Sequence, residues 1–245
     1  MSNIGFNQQF SFTLSNGYGI GFSNSSPGGI PSDGLLLHLD AGNTTSYPGS
    51  GNIWYDLASS PTANDATLLN SPTFSSNNGG YLTFAKAANQ SATVSGNNVV
   101  PSAAYTKAVW FNLADLSSDH NLLSSDVGGH FLYFGGTSKL YSGHSNWAGY
   151  NQYGSTENFL AGVWYHVVLT YTTTDGMKLY INGALDSTYT ANKTAHAGDG
   201  STNIGRFGAG NFLNGSIAQA LTYNRAISEA EALSIYNASK SRYGL

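Results

Sequence analysis

Cysteine is absent from the 245-residue chain, and charged residues make up only 9% of it, against roughly 25% in average soluble proteins. Without cysteine there is neither a disulfide framework nor a thiolate metal site. The formal net charge is −4 and no Lys or Arg precedes Lys86, so the basic surface that captures nucleic acid is missing. Stability must therefore come from packing and hydrogen bonds, and we expect no nucleic-acid partner.

Long apolar runs are also absent. None approaches the roughly 20 residues needed to span a bilayer, so we expect no membrane insertion. The beginning of the chain, "MSNIGFNQQFSFTLSNGYGIGF", has neither the positive region nor the continuous apolar core of a secretory signal. If the protein works outside a cell, we expect it to leave by a route that does not use a signal peptide.

The residue sets of common catalytic sites are missing as well. Retaining glycosidases need two carboxylates roughly 5 to 5.5 Å apart, but the chain has only three Glu: Glu157 stands alone, and Glu229 and Glu231 begin a predicted helix. There is no G-x-S-x-G elbow and no H-E-x-x-H pair. His166 is expected to be a packed or hydrogen-bonded strand residue. We therefore predict that the chain is not an enzyme, with a glycoside hydrolase as the least favoured alternative.

What the chain does contain is a series of short β-branched and aromatic runs separated by turn residues. In "VWYHVVLTYTTTDGMKLYINGALDS", Asn182-Gly183 predicts a two-residue hairpin loop within an antiparallel meander. Met177, Leu179 and Ile181 should face one side of its middle strand, and Lys178 and Tyr180 the other, which is the pattern of a sandwich with one buried face. Strands are also predicted at "GLLLHLDAG", "YLTFA", "SATVS", "KAVWFNL", "HFLYFG" and around Ile217 to Tyr223.

Near the C-terminus the apolar period changes to that of a helix. Ser228 with Glu231 fits a capping box. An apolar stripe follows, and basic residues are expected in the last turn; the stripe is Ala232, Leu233, Ile235 and Tyr236, and the basic residues are Lys240 and Arg242. One short terminal helix is predicted.

The first 32 residues carry no charged side chain but several large apolar ones. Exposed apolar groups of this kind are typical of a segment that is covered by a partner. We predict an N-terminal docking arm and linker over residues 1–33 and a folded domain over 34–245. The residues expected to dock on a partner are Phe6, Phe10, Phe12, Leu14 and Phe22.

The stretch "YSGHSNWAGYNQYG" combines aromatic rings with Asn, Ser and His. Tyr141 and Tyr153 are expected on two strands joined by a loop that holds Trp147. Sugar rings stack on such aromatic faces while their hydroxyls bond to polar neighbours, but Tyr and Trp are equally favoured in packing and subunit contacts. Both interpretations stay open; the candidate glycan-binding residues are His144, Asn146, Trp147 and Tyr150.

No cofactor is implied, and only calcium comes into question. Asp119, Asp126 and Asp199 lie in or beside predicted loops, and calcium takes oxygen ligands from such loops. Asp in loops rich in Gly, Ser and Asn more often makes turns. We therefore assign no metal and keep calcium as an open alternative.

Four segments in this order resemble the laminin-G-like branch of the concanavalin A-like lectin/glucanase superfamily: "GLLLHLDAGNTTSYPGSGNIWYDLASS", "AGVWYHVVLTYTTTDGMKLYINGALDS", "TNIGRFG" and "NGSIAQALTYNRAISEAEALSIYNASKSRYGL". The resemblance covers roughly Gly34 to Leu245. It implies an all-β fold, a jelly-roll sandwich of two antiparallel sheets, with rim loops that in relatives carry glycan, protein or calcium sites. Relatives often have an acidic residue where this chain has Ala218-Gln219, which weakens the case for a calcium or acidic site.

"LDAGNTTSYPGSG" and "SKSRYGL" are most similar to modules in virion proteins of tailed bacteriophages. This second resemblance implies a non-catalytic structural module of a virion, either a capsid decoration or a tail or fibre component. The arm would dock on virion proteins, the copies would form a homo-oligomer in the assembly, and the rim would touch host-surface glycans. The alternative is a free-standing carbohydrate-binding lectin module.

Overall fold

The structure is a computed structural model that describes residues 29–59, 63–95, 99–126, 129–145, 150–191, 195–196 and 201–245. The proposed docking residues of the arm lie outside these ranges, as do Asn146, Trp147 and Asp199.

The described residues form seventeen β-strands and one α-helix. The elements in chain order are β1 (Leu35–Asp40), β2 (Ile53–Trp54), β3 (Ala66–Leu69), β4 (Thr73–Ser75), β5 (Tyr81–Phe84), β6 (Ser91–Ser95), β7 (Ala104–Leu113), β8 (Asp119–Asn121), β9 (Leu123–Ser125), β10 (His130–Gly135), β11 (Leu140–Ser145), β12 (Tyr150–Gly154), β13 (Trp164–Thr172), β14 (Gly176–Ile181), β15 (Ala184–Tyr189), β16 (Ser201–Ile204), β17 (Gly215–Tyr223) and α1 (Glu229–Ser239).

The strands are arranged in two layers. The first layer is one eight-stranded sheet, which we call the large sheet, in the order β15-β14-β13-β7-β17-β5-β4 with β1 also paired to β17. The second layer consists of a four-stranded sheet, β12-β11-β10-β8, and a five-stranded sheet, β2-β3-β6-β16-β9. Because β8 and β9 are separated only by Leu122, whose N–H donates to the Leu132 carbonyl, the two smaller sheets continue into each other. All pairings between the strands are antiparallel.

The main core lies between the layers and is built by alternate residues of each strand. From the large sheet, Val109, Phe111 and Val167 point inward, and from the second layer Leu132 and Phe134 do so. Burial of these apolar groups is the main driving force for the fold. This architecture confirms the predicted all-β, two-layer antiparallel sandwich of the concanavalin A-like type.

The predicted hairpin is confirmed, since Asn182 and Gly183 both have positive φ, 49° and 81°, as a two-residue loop that matches strand twist requires. The prediction for the outer face of β14 needs a correction. Tyr180 does point away from the main core, but it is 3% exposed because it joins a second apolar cluster under α1. The sheet is therefore buried on both faces at this point.

The helix begins as predicted and ends differently. Both hydrogen bonds of the Ser228–Glu231 capping box are present. However, α1 ends at Ser239, and Lys240 and Arg242 lie in the 3-10 turn Lys240–Tyr243 that follows, so the expected basic last turn is wrong. Leu233 of the predicted apolar stripe is 44% exposed, whereas Ala232 and Ile235 pack against the sheet and Tyr236 stacks on Trp110 of β7. No helix among the described residues is long and apolar enough to cross a bilayer.

Candidate functional site

A cleft of about 210 Å³ opens on the outer face of the second layer. Alternation along β10 sends Leu132 and Phe134 into the core and leaves Phe131 and Tyr133 on the opposite face. The cleft is lined by Asp119, Asn121, Phe131, Tyr133, Gln152, Phe207 and Asn211. We call it the Tyr133 cleft.

Aromatic rings form one side of the Tyr133 cleft. The ring of Tyr133 lies 5.6 Å from that of Phe131 at 78°, and 5.6 Å from that of Tyr141 at 30°. Gly135 and Gly154 flank these rings. A Cβ atom on Gly135 would lie 3.4 Å from the Tyr133 ring, and one on Gly154 would lie 3.3 Å from the Tyr141 ring. The absence of side chains at the two glycines therefore lets the tyrosine rings lie low on the sheet, with part of their surface in solvent.

Polar groups beside the rings are only partly used within the protein. The Tyr133 hydroxyl donates to Gln152 Oε1 at 2.8 Å, which leaves the Gln152 amide nitrogen as a donor. Burial and then the nearby Asp119 charge raise the pKa of Tyr133, so its hydroxyl stays protonated. Among the described residues, no hydrogen bond to the Asp119 carboxylate is formed; only the main-chain carbonyl of Asp119 is engaged, by Lys86 Nζ at 3.2 Å.

The opposite wall is a loop after β16 that carries Phe207 and Asn211. Asn121 Nδ2 donates to the Asn211 carbonyl at 2.9 Å, and Ser124 Oγ donates to Asn121 Oδ1 at 3.0 Å. At the start of the loop, Arg206 Nε donates to Asn203 Oδ1 of β16 at 3.1 Å. Both ends of the wall are thus tied to the sheet, which holds the cleft open in one shape.

A buried histidine secures the end of this loop. The Asn214 main-chain N–H donates to His120 Nδ1 at 3.1 Å, so Nε2 carries the ring proton and donates to Asp115 Oδ1 at 3.2 Å. Hydrogen bonds from the side chains of Asn214 and Ser117 hold the pKa of Asp115 below its usual value. Burial lowers the pKa of His120. The pair therefore consists of a neutral His120 ring that donates to the ionised Asp115 carboxylate.

Larger clefts in the described part of the chain have less suitable chemistry. One of about 610 Å³ beside Tyr47 and Phe74 contains no ionisable group other than the Tyr47 hydroxyl, which donates to the Gly51 carbonyl. Another, of about 420 Å³ at the start of α1, contains Glu231, Asp175 and Glu229. Arg225 and Thr172 already bond to the first two carboxylates, and Tyr180 is the one aromatic residue among the described residues that line it. A third, of about 260 Å³, contains Glu157 and Asp186 but one aromatic residue, Tyr165, among the described residues that line it. Of these clefts, the Tyr133 cleft is the one in which an unengaged carboxylate lies beside several aromatic rings packed on one another.

The residues predicted to bind a glycan fall elsewhere. His144 lies on β11 with its ring fully buried, 3.2 Å from the Tyr105 hydroxyl through Nδ1 and 4.6 Å from the Tyr171 ring. A ligand on the outer surface does not reach this ring, so the expectation for His144 is corrected to one of interior packing. Tyr150 lies in β12 opposite Ser145, while Asn146 and Trp147 lie outside the described residues.

The calcium alternative gains no support from the described residues, in which no three His, Cys, Asp or Glu side chains converge. Asp126 instead accepts from Asn203 Nδ2 at 2.7 Å and lies 3.4 Å from Arg206. Asp119 lines the Tyr133 cleft.

Sequence reasoning missed most of the cleft. The alternation in "HFLYFG" carried a signal, because Phe131 and Tyr133 occupy the same face two residues apart. No sequence signal identified the other lining residues Asn121, Phe207 and Asn211. Only the pairing of β8 with β10 and the path of the loop after β16 bring them to that face.

Comparisons with solved structures show the same fold at low sequence identity. The binding domain of Paraclostridial Mosquitocidal Protein 1 matches with a TM-score of 0.67 and 16% identity over 84% of this chain and 52% of that chain. A botulinum neurotoxin type C structure, whose cell entry is described as dependent on two ganglioside molecules, matches with a TM-score of 0.65 and 12% identity over 84% and 51%. A Trypanosoma rangeli sialidase in complex with sialic acid matches with a TM-score of 0.61 and 18% identity over 87% and 34%.

This chain therefore spans about half the length of the two toxin structures. No curated protein matches it by sequence. A family model described as the concanavalin A-like lectin/glucanases superfamily matches residues 85–232, which run from the end of β5 into α1 and include the whole Tyr133 cleft. The chain belongs to the concanavalin A-like lectin/glucanases superfamily.

Proposed function

We propose that the chain is a non-catalytic module that binds a glycan in the Tyr133 cleft. The observation that carries this proposal is an unengaged carboxylate, Asp119, on the strand next to that of the partly exposed Tyr133 ring, in one cleft whose opposite wall is tied to the sheet. Aromatic faces suit the apolar faces of a sugar ring. Carboxylate oxygens and the Gln152 amide suit its hydroxyls, as acceptors and donor respectively.

The size of the cleft supports a small polar ligand. Pockets for drug-sized ligands measure roughly 300 to 1,000 Å³, whereas the Tyr133 cleft measures about 210 Å³. It suits one sugar ring of a longer chain, with neighbouring rings lying over Tyr141. Two proteins of similar fold, a neurotoxin whose cell entry depends on gangliosides and a sialidase in complex with sialic acid, favour carbohydrate as the ligand class.

Two observations support a binding role without catalysis. Among the described residues, Asp119 is the one carboxylate that lines the cleft, whereas glycoside hydrolysis by the usual route needs two. Glu157 and Asp186 do line a separate groove, but Asp186 accepts from Thr156, Ser187 and the Glu157 N–H. Although burial acts in the other direction, these bonds keep the pKa of Asp186 below its usual value, which is the opposite of what a general acid requires.

The second part of the proposal concerns the location of the module: it belongs to a phage-type virion, where it is anchored through residues 1–33 and forms a homo-oligomer. The apolar, uncharged arm and the resemblance to tailed-phage modules support this assignment. The described chain begins beside α1, where Ser234 Oγ donates to the Gly29 carbonyl at 2.7 Å and Ile30 packs against the cluster under the helix. This is the outer side of the large sheet, so an anchor attached there leaves the Tyr133 cleft, on the other layer, facing away from the particle.

Binding of the full chain to an array of oligosaccharides tests the glycan proposal. Tyr133→Ala is expected to lower the affinity for the bound glycans at least about tenfold, or ~1.4 kcal/mol, because it removes the central ring of the cleft. Tyr55→Ala is the matched control, since Tyr55 is 44% exposed and does not line the cleft. Binding to no glycan, or equal affinities for both variants, rejects the proposed site.

Mass spectrometry of purified virions, together with electron microscopy of the labelled chain, tests the proposed location in a virion. Detection of the chain at a defined place on the particle is the expected result. A chain found only in the soluble fraction favours the free-standing lectin module instead.

A further inference from the structure

The Asp119 carboxylate differs from most other acidic groups of the described chain in having no role in the fold. Arg242 bonds to Asp40, Arg206 to Asp126 and Arg225 to Glu231. Several others accept hydrogen bonds from nearby main-chain or hydroxyl groups; these are Asp56, Asp65, Asp115, Asp175 and Asp186. Glu157 and Glu229 also line clefts without such a bond, but only one aromatic residue lines each of those clefts among the described residues. In a chain with so few charges, an unused carboxylate beside several packed aromatic rings points to a ligand.

The charge around Asp119 is not neutralised inside the cleft. None of the lining residues within the described chain is Lys, Arg or His. Lys86 reaches only the main-chain carbonyl of Asp119, and Arg206 is directed to Asn203, Gly208 and Asp126. A ligand in the cleft therefore meets one negative charge between apolar rings, where water is partly displaced and the charge is screened less than in bulk solvent.

The two kinds of sugar that compete for such a site differ in charge. A neutral sugar presents hydroxyl donors to both carboxylate oxygens, and hydrogen bonds to a charged acceptor are stronger than neutral ones. A sialic or uronic acid presents a second carboxylate, and like charges brought together at an interface act against binding.

We propose that Asp119 makes the Tyr133 cleft selective for neutral sugars over carboxylated ones. This inference rests on the proposed function and adds the class of glycan. It sets the chain apart from the sialidase of similar fold, whose structure holds sialic acid. Asp119 is then a specificity-determining residue that touches the ligand.

The test measures the affinity of the full chain for matched oligosaccharide pairs that differ only by a terminal sialic or uronic acid. We expect the neutral member of each pair to bind at least about tenfold more tightly. Asp119→Asn keeps the size of the side chain and removes its charge, so it should weaken neutral binding about tenfold and bring the ratio within each pair close to one. Glu229→Gln is the matched control. Glu229 lies at the start of α1, on the other layer, and its carboxylate has no hydrogen-bond partner among the described residues, so the loss of its charge should leave the ratio unchanged.

The outcomes separate this inference from the proposed function. Equal binding of neutral and carboxylated members by the native chain, or a ratio that Asp119→Asn does not change, overturns the selectivity while leaving glycan binding in place. Binding to no member of any pair overturns both.

Discussion

At the scale of single residues, the outer face of the large sheet contains a histidine that is buried without hydrogen bonds. His166 is fully buried, its ring lies 5.0 Å from that of Trp110, and neither ring nitrogen has a partner among the described residues. It is thus a packed strand residue, as predicted, but not a hydrogen-bonded one. Burial lowers the pKa of His166 to about 3, so the ring is neutral in the folded protein at physiological pH.

This histidine should make the fold sensitive to acid. The unfolded chain protonates His166 near pH 6.5 and the folded chain only near pH 3. Protonation of His166 therefore does not affect stability above about pH 6.5. As the pH falls from about 6.5 to 3, the unfolded chain binds a proton that the folded chain does not, and the free energy of unfolding decreases with a slope approaching ~1.4 kcal/mol per pH unit. His166→Phe keeps an aromatic ring and removes the titration, so urea unfolding across this range should show a smaller slope and equal or greater stability at pH 7. An unchanged acid slope would rule out His166 as its source.

At the scale of elements, the C-terminal 3-10 turn is locked onto the large sheet. Arg242 forms two hydrogen bonds to Asp40, at 2.8 and 2.9 Å, and a third to the Gly79 carbonyl at 2.9 Å. Tyr243 stacks on Trp110 with ring centroids 4.1 Å apart. Gly79 and Gly80 have positive φ, and a Cβ atom on Gly42 would overlap the Gly79 carbonyl and the guanidinium, so the close approach of these segments depends on glycine.

Removal of the guanidinium should loosen this turn. Arg242→Met is expected to lower the free energy of unfolding by about 2 kcal/mol, because Asp40 keeps a half-buried charge without its main partner. This value is smaller than that for a fully buried pair, because solvent reaches part of the ion pair. Lys178→Met, at an exposed position of β14, is the control and should change stability by less than about 0.5 kcal/mol. Equal effects of the two substitutions in chemical denaturation would contradict a structural role for the ion pair.

The N-terminus of α1 offers a second test at this scale. Ser228 Oγ accepts a hydrogen bond from the Glu231 N–H at 3.2 Å, and Glu231 Oε2 accepts one from the Ser228 N–H at 2.8 Å. Ser228→Ala should therefore cost about 1 kcal/mol, as measured by thermal unfolding. Because Arg225 also holds Glu231, the loss should be partial, and complete melting of α1 in circular dichroism would show that the cap alone maintains the helix.

At the scale of the whole molecule, the two outer faces differ in what covers them. One is covered by α1 and the C-terminal turn and receives the chain at Gly29 and Ile30; the other carries the Tyr133 cleft. Such a division suits a module that is held on one side and binds on the other.

This division predicts that residues 1–28 are dispensable for the fold. The described members of both apolar clusters already cover both faces of the large sheet, so a chain of residues 29–245 should unfold cooperatively, with a free energy within about 1 kcal/mol of the full chain. It should bind the same glycans and lose attachment to the particle. An unfolded product would show that the first 28 residues belong to the core, and retained attachment would show that the anchor lies elsewhere.

The sequence by itself determined the elements whose signals are local. The positive φ of Asn182-Gly183, the capping box at Ser228 and the alternation of β14 depend on neighbours within a few residues, and all three are present in the structure. The two-layer fold followed from these signals and from the motifs shared with the family. The choice of His144 as a surface residue failed because polar residue type does not tell which face of a strand meets the core.

Only the tertiary structure decided where the candidate ligand site lies. Asp119, Gln152 and Asn211 are far apart in the chain and meet because β8, β10, β11 and β12 pair in one register and the loop after β16 returns over them. The burial of Tyr180 and His166 was settled in the same way, by the packing of α1 and the C-terminal turn on a sheet face that alternation alone assigns to solvent. Contacts of this kind depend on long-range pairing, and no local pattern of residues encodes them.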